Sequence, residues 1–318
     1  MMHNTTLQIN LSPGDVNYAD LTVPALINHH RNIKDRLLVV DCCRPQKTKL
    51  VDPDTKYPLN IFQQNVERIT AISERFLKSG LVTDVYYLKP GDELFKHLSK
   101  KYLNGVYDCT HGAGGTANMG YWAGIELPRT KYVLHYDGDI ILYQKPGYFW
   151  HEDALGYLNE ADDNVFATPR LCPPLAGAAI DMPSIKEGRP YTSHQGYWKN
   201  DWFSTRHFLA DREKLDRFLP LVRGKLRMEL FIRKYGRRAF PLDPEIVLFR
   251  SLPPRGGRKI TLKSVDAWIT HPLNKPQSFL DILPQMINMV AEGKHPDEQR
   301  GHENIIPDAW INYLGKQS

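Results

Sequence analysis

The chain has 318 residues, 42% hydrophobic and 24% charged, with Lys+Arg 41 against Asp+Glu 36 and a formal net charge of +5. This is a globular composition, enough for one large α/β unit or roughly two domains, and it excludes wholesale disorder and collagen-like or other low-complexity architectures. No stretch approaches the ~18 apolar residues of a membrane span, Met1 to Thr6 lacks the basic and apolar runs of a secretory signal, and four cysteines in so long a chain make no disulfide framework, so the reading is a reduced, cytoplasmic protein.

The first half alternates strand and helix patterns. Leu7 to Leu11 alternates apolar and polar residues and stops at the turn cluster Ser12-Pro13-Gly14-Asp15. Leu21 to Ile27 reads as helix, and Leu37 to Val40 as a buried parallel strand ended by Asp41. Phe62, Val66, Ile69, Ile72 and Phe76 recur at helical steps, with Gly80 where a C-cap belongs. Val82 to Leu88 is the next strand. Asp92 is positioned to cap a helix with Leu94, Leu98 and Tyr102 on its apolar face, and Thr116 to cap another over Ala117 to Leu127; Tyr132 to Tyr136 is again strand.

This rhythm predicts an α/β fold, a mostly parallel central sheet flanked by helices, with a Rossmann-like first half and a less regular second half. One domain over 1–318 is expected: a regular half to about residue 150, a less regular half over about 151–275, and a helical tail from about 276. Residues 171–200, rich in Pro, Gly and small side chains, read as a mobile segment. Trp202 to Phe208 resembles a strand, Ser278 to Val290 a helix, and Trp310, Tyr313 and Leu314 would dock the tail.

Charge is uneven. The segment 223–238 carries Arg223, Lys225, Arg227, Arg233, Lys234, Arg237 and Arg238 against Glu229 alone. It reads either as a solvated helix face or as a surface for phosphates, including the acidic headgroups of a membrane contacted peripherally. Sequence-specific nucleic-acid binding is not expected, since RNP-like and zinc-finger signatures are absent.

In open α/β sheets ligands bind beyond the carboxyl ends of the strands. That rule selects Ser12 to Asp15, Asp41 to Arg44, and Asp137 to Asp139. Asp137-Gly138-Asp139 directly follows an apolar strand, and two carboxylates about one glycine can converge on a hard divalent cation that bridges to phosphate. The plain alternative is a solvated turn. Asp52-Pro53-Asp54 repeats the spacing without a preceding strand and reads as a turn. His111 to Thr116 is a glycine-rich run before a helix; it suits either phosphate or a flexible helix start, and no Walker lysine follows. Tyr197, Trp198 and Trp202 suit either a sugar face or lid packing. His29-His30 beside Arg31 reads as a solvated helix end, and Cys109 and Cys172 as small core residues.

Gly115 to Gly120, the strand to Tyr136, and Asp137-Gly138-Asp139 together resemble nucleotide-sugar-dependent glycosyltransferases of the GT-A fold with a D-x-D motif. The resemblance covers about residues 7–145 by order of elements and only a few motif positions by identity. It departs at Ser12-Pro13-Gly14 and at Asp41-Cys42-Cys43, where the family commonly has other residues. It implies that Asp139 ligates Mn2+ or Mg2+, that Asp137 ligates the metal or holds the ribose, that Asp41 contacts the base, and that Ser12 and Asn118 line the nucleotide-sugar site. It would make the half to about residue 150 the nucleotide-sugar half, about 151–275 the acceptor half and the rest the C-terminal tail. It implies a nucleotide diphosphate sugar donor, UDP-sugar by family frequency, and an acceptor that is a glycan, a lipid-linked glycan or a small molecule. His271, after the strand-like Ala267 to Thr270, resembles the late histidine that reaches the metal in many such enzymes; it also reads as a turn histidine beside Pro272.

Transfer with inversion needs a base for the acceptor hydroxyl. Asp243-Pro244-Glu245 resembles the acid at a helix start that serves inverting enzymes of this type, with Glu245 slightly preferred over Asp243; the alternative is a cap followed by a dipole-favouring glutamate. The rival readings are a sugar nucleotidyltransferase, which wants an Arg/Lys-containing glycine loop after the first strand, and a non-catalytic nucleotide-sugar-binding protein of the same fold.

Overall fold

The computed structural model describes residues 4–107, 109–175, 191–235 and 242–315. Along the chain it has β1 (Thr5–Leu11), α1 (Ala19–His29), β2 (Asp35–Asp41), α2 (Pro53–Lys56), α3 (Leu59–Lys78), β3 (Asp84–Leu88), α4 (Leu94–Leu103), α5 (Asn118–Glu126), β4 (Tyr132–Asp137), β5 (Ile141–Gln144), α6 (Trp150–Glu160) and β6 (Asn164–Thr168). It continues with β7 (Tyr191–Ser193), β8 (Tyr197–Asn200), β9 (His207–Asp211), α7 (Arg212–Asp216), α8 (Gly224–Tyr235), α9 (Pro244–Ser251), β10 (Arg258–Leu262), β11 (Ala267–Thr270), α10 (Gln277–Ala291) and α11 (Pro307–Gly315).

Two compact units interleave in sequence: residues 1–16, 33–136 and 203–257 form one, and 17–32, 137–202 and 258–318 the other. In the first, strands run β3-β2-β1-β4-β9, with β1, β2 and β3 parallel and β9 antiparallel to β4. Helices α3 and α5 pack on these strands. The α/β class with parallel strands flanked by helices is therefore as expected. Leu7, Ile9 and Leu11 are buried, but so are Thr6 and Gln8, because β1 lies between β2 and β4. The alternation in β1 thus does not mark one wet face.

Local chemistry sets the helix ends. Phe62, Ile69, Ile72 and Phe76 of α3 are buried as their spacing requires, and Gly80 follows at φ +72°. Asp92 Oδ1 accepts from Leu94 N at 2.9 Å at the start of α4, and Asn104 ends that helix in the left-handed region. At α5 the cap position is Ala117, without a side-chain cap bond, rather than Thr116. The strand expected over Trp202 to Phe208 starts only at His207; Asp211 at its end caps α7 through Lys214 N at 3.0 Å.

In the second unit the strands run β6-β10-β8-β7, with β10 parallel to β6 and antiparallel to β8, and β5 pairs antiparallel with β11. A core of Tyr18, Ile141, Trp268, Phe279, Leu283, Met286, Val290, Ile305 and Trp310 joins α10 and α11 to this pair. Trp310 and Leu314 are buried and Tyr313 partly so, as the tail reading expected. His30 is fully buried, which corrects the solvated helix end: its ring meets His151 at 5.1 Å between centroids. Of the expected mobile segment 171–200, residues 176–190 lie outside the described residues, as do 236–238 of the basic segment; 191–200 hold β7 and β8.

Candidate functional site

The first unit collects several of the sequence-selected residues around the loop before α5. Asp41, the last residue of β2, is 4% exposed. Its Oδ1 accepts from Cys43 N at 2.8 Å, while Oδ2 is buried without a hydrogen bond among the described residues, 3.7 Å from His111 Nε2. Burial outweighs the Cys43 bond and raises the Asp41 carboxyl to about 7, and burial lowers His111 to about 4. Between those values both groups are neutral, so their approach is not an ion pair. Burial, then Asp41, pushes Cys42 up to about 11 and Cys43 higher still, which leaves these thiols inert near neutrality.

The glycine-rich run is tied inward. Gly112 N donates to Thr116 O at 2.8 Å, Gly115 N to Gly112 O at 3.1 Å, and Met119 N to Thr110 O at 3.1 Å. Thr48 Oγ1 holds Ala113 O at 2.8 Å. Those backbone donors are already used, which favours the helix-start reading of this run over a phosphate cradle. Asn118 is 2% exposed; its Nδ2 donates to Leu242 O at 3.2 Å, and its Oδ1 has no hydrogen-bond partner among the described residues. Asp243 stands at the cap position of α9 but makes no side-chain cap bond; its carboxyl hydrogen-bonds Thr116, and partial burial raises its pKa. A Cβ at Gly112 would fall 2.4 Å from Asp243 Oδ1, so the glycine admits the acid. Glu245 is half-buried in the first turn of α9. Ser12 is engaged locally: Gly14 N donates to its Oγ at 3.3 Å, and its own N donates to Asp15 Oδ2 at 2.6 Å.

The second unit contains the paired acids. Asp137 ends β4, and Ile140 N returns to Asp137 O at 3.2 Å, closing the turn. Thr22 Oγ1 of α1 donates to Gly138 O, which fixes the turn from below. Asp139 Oδ2 lies 2.7 Å from Lys275 Nζ, while Oδ1 is buried with no hydrogen-bond partner among the described residues. Lys275 also stands over the Tyr18 ring, 5.1 Å from its centroid. Lys275 was not singled out in the sequence; its signal, a cation four residues after His271 and before Pro276, is visible only once Asp139 is known to lie beside it. His271 is 3% exposed, with Nε2 3.4 Å from Glu303 Oε1 and its backbone bonded to Glu303 and Ile305.

Among the described residues no group of three or more His, Cys, Asp and Glu side chains is gathered for one metal ion. The orphaned Asp139 Oδ1 nevertheless fits a cation, because a buried carboxylate oxygen without a donor is a costly group that a divalent ion would satisfy. Trp198 is 1% exposed, with the Arg170 and Lys263 cations 5.2 and 5.6 Å from its ring, and Tyr197 is buried as well. These two aromatics belong to packing.

The sequence matches no protein-family model and no curated protein. Three of the solved structures to which the chain is similar are the following. One is TarS 1–349 of S. aureus in complex with UDP-GlcNAc, at 11% identity and TM-score 0.40 over 98% of this chain and 80% of that one. Another is the galactosyltransferase LgtC in complex with donor and acceptor sugar analogs, at 9% identity and TM-score 0.41 over 96% and 99%. The third is glucosyl-3-phosphoglycerate synthase of Mycobacterium tuberculosis with Mn2+, UDP and glucosyl-3-phosphoglycerate, at 11% identity and TM-score 0.35 over 91% and 79%. Likenesses of this degree assign no residue a role.

Proposed function

We propose that this chain is a glycosyltransferase of the GT-A type, moving a sugar from a nucleotide diphosphate donor, a UDP-sugar in the first instance, to a glycan, lipid-linked glycan or small-molecule acceptor. The observation that carries the reading is Asp139 at the strand end, one oxygen held by Lys275 and the other buried without a donor. An acceptor for a cation and an ammonium for a phosphate stand side by side, which is what a leaving diphosphate requires.

Asp137 and Asp139 would hold Mn2+ or Mg2+, and when bound the ion supplies positive charge where the diphosphate develops negative charge; His271, which is not gathered with the two acids among the described residues, would serve as a further ligand only after a rearrangement. Lys275 adds a fixed cation to the same task. Asp41 would contact the base through Oδ2, and Ser12 and Asn118 belong to the nucleotide side. Glu245 or Asp243 would take the acceptor hydroxyl's proton in an inverting reaction. The carboxyl of Asp243 hydrogen-bonds Thr116, a bond it would have to give up to act as the base. The basic segment 223–238 is read as a peripheral contact with acidic headgroups.

A thermal-shift panel of nucleotide sugars, with and without Mn2+, tests the reading. A ligand at ~100 times its Kd stabilises by about 2.7 kcal/mol. No shift with any nucleotide sugar, and no UDP release from any UDP-sugar, would overturn it.

A further inference from the structure

The solvent face of α8 is apolar where an ordinary surface helix is polar. Leu226 and Leu230 are buried, whereas Met228, Phe231, Ile232 and Tyr235 are 67%, 52%, 65% and 66% exposed. At about 100° per residue, the four exposed side chains fall within an arc of roughly 100° opposite the buried pair. The rings of Phe231 and Tyr235 lie 4.5 Å apart, so part of this arc is a continuous surface. On the same projection, Arg227 and Lys234 border the arc on one side and Lys225 on the other, and all three are exposed. The helix's one acid, Glu229, is neutralised by Arg233 at 2.7 Å and by Arg250 of α9 at 2.6 Å.

We propose that α8 docks this unit onto an anionic phospholipid bilayer, lying in the interface with Met228, Phe231, Ile232 and Tyr235 among the upper acyl chains and Lys225, Arg227 and Lys234 at the headgroup phosphates. An apolar arc flanked by cations is the arrangement that combines hydrophobic insertion with attraction to acidic lipid. The charge decides the occupant. A second copy would bring the same positive helix against this one, and the repulsion opposes pairing. No helix among the described residues is long and apolar enough to cross a membrane, and an interfacial helix does not need to be. The proposal goes beyond the basic-segment reading by naming the inserting side chains, and it does not depend on the transfer reaction.

Co-sedimentation of the full chain with phosphatidylcholine vesicles, with and without phosphatidylglycerol, tests it. Wild type is expected to sediment with the anionic vesicles and to be released by high salt. Arg227→Gln with Lys234→Gln should lower the partition coefficient by roughly 30-fold, and Phe231→Ser with Ile232→Ser by at least roughly tenfold. Met228→Ser with Tyr235→Ser is an independent pair, so a folding defect in one pair leaves the question decidable. No binding to anionic vesicles, equal binding to neutral ones, or undiminished binding by the variants overturns the proposal. So does self-association by light scattering that Phe231→Ser with Ile232→Ser abolishes, which would assign the face to a second copy, and so would a protein partner that displaces the vesicles.

Discussion

Lys275 Nζ stands 2.7 Å from Asp139 Oδ2, and the other oxygen of the same carboxylate is buried without a donor. A single carboxylate is therefore held by one cation and open to another. Asp139→Asn keeps the shape, removes the charge and releases the lysine. Near-complete loss of metal-dependent turnover is expected with the fold retained. Lys275→Met should lower kcat with a smaller effect on metal affinity, since it removes only the fixed charge. Undiminished turnover of Asp139→Asn at saturating Mn2+ would remove this residue from the metal site, and an unchanged apparent metal affinity in His271→Ala would do the same for His271.

Asp41 yields a pH prediction. Its folded-state pKa of about 7 lies above the ordinary carboxyl value of 3.8 because burial disfavours the charge. The stabilisation from the neutral carboxyl is therefore complete below the unfolded value and is lost as pH rises through 7. His111 has the opposite sign: lowered from 6.5 to about 4, it contributes stability above 6.5 that is lost as pH falls through 4. Asp41→Asn should remove the fall in stability over the range from 3.8 to about 7, at most about 4 kcal/mol. The His111 contribution rises over nearly the same range, so the two oppose each other in wild type, and the variant should gain stability with rising pH where wild type is nearly flat. Melting temperatures across that range measure the difference; parallel profiles for wild type and variant would show that Asp41 is not held neutral.

Two helical glycines should respond to alanine with opposite sign. At Gly124 in α5 a Cβ would meet Gln8 Oε1 at 2.4 Å and Cδ at 2.8 Å, and Gln8 is fully buried, hydrogen-bonded to Asn10 and His135. At Gly156 in α6 a Cβ meets nothing within 4 Å. Helix propensity favours alanine by about 0.5–1 kcal/mol, while overpacking a fixed neighbour costs about 1–3 kcal/mol. Gly156→Ala is therefore expected to stabilise and Gly124→Ala to destabilise, read by denaturant midpoints. A stabilised Gly124→Ala would mean that Gln8 yields.

Asp243 and Glu245 separate by the kind of loss they cause. With its carboxyl on Thr116 beside Gly112, Asp243 braces the loop before α5. Asp243→Asn should cost on the order of 1 kcal/mol of stability. Loss of a general base instead costs roughly 10²–10⁴ in rate. Glu245→Gln is expected to abolish transfer while UDP and metal binding persist. Near wild-type transfer rates in both variants would place the base elsewhere or indicate retention of configuration.

Much of the candidate site was legible locally, because its marks are local. Asp41 and Asp137 follow apolar runs, and a run ended by an acid shows in sequence as a strand terminus; β2 and β4 end at those residues. The spacing of Phe62, Ile69, Ile72 and Phe76 records one face of a helix, and that face is buried. Other marks misled for equally physical reasons. Leu7 to Leu11 alternates apolar and polar residues, yet β1 is an interior strand and buries Thr6 and Gln8 with hydrogen bonds. His29-His30-Arg31 looked solvated from its polarity, but His30 packs against His151.

The sequence by itself determined the α/β order of elements and the acids at the strand ends, since periodicity and strand termination depend on near neighbours along the chain. Only the tertiary structure decided what those acids face: Lys275 against Asp139, His111 against Asp41, and Thr116 against Asp243. It also decided that the outward face of α8 is apolar, because a helical period marks two opposed stripes without saying which one the rest of the protein covers. Charge, burial and pairing are properties of groups brought together from distant parts of the chain, and local pattern carries no record of that distance.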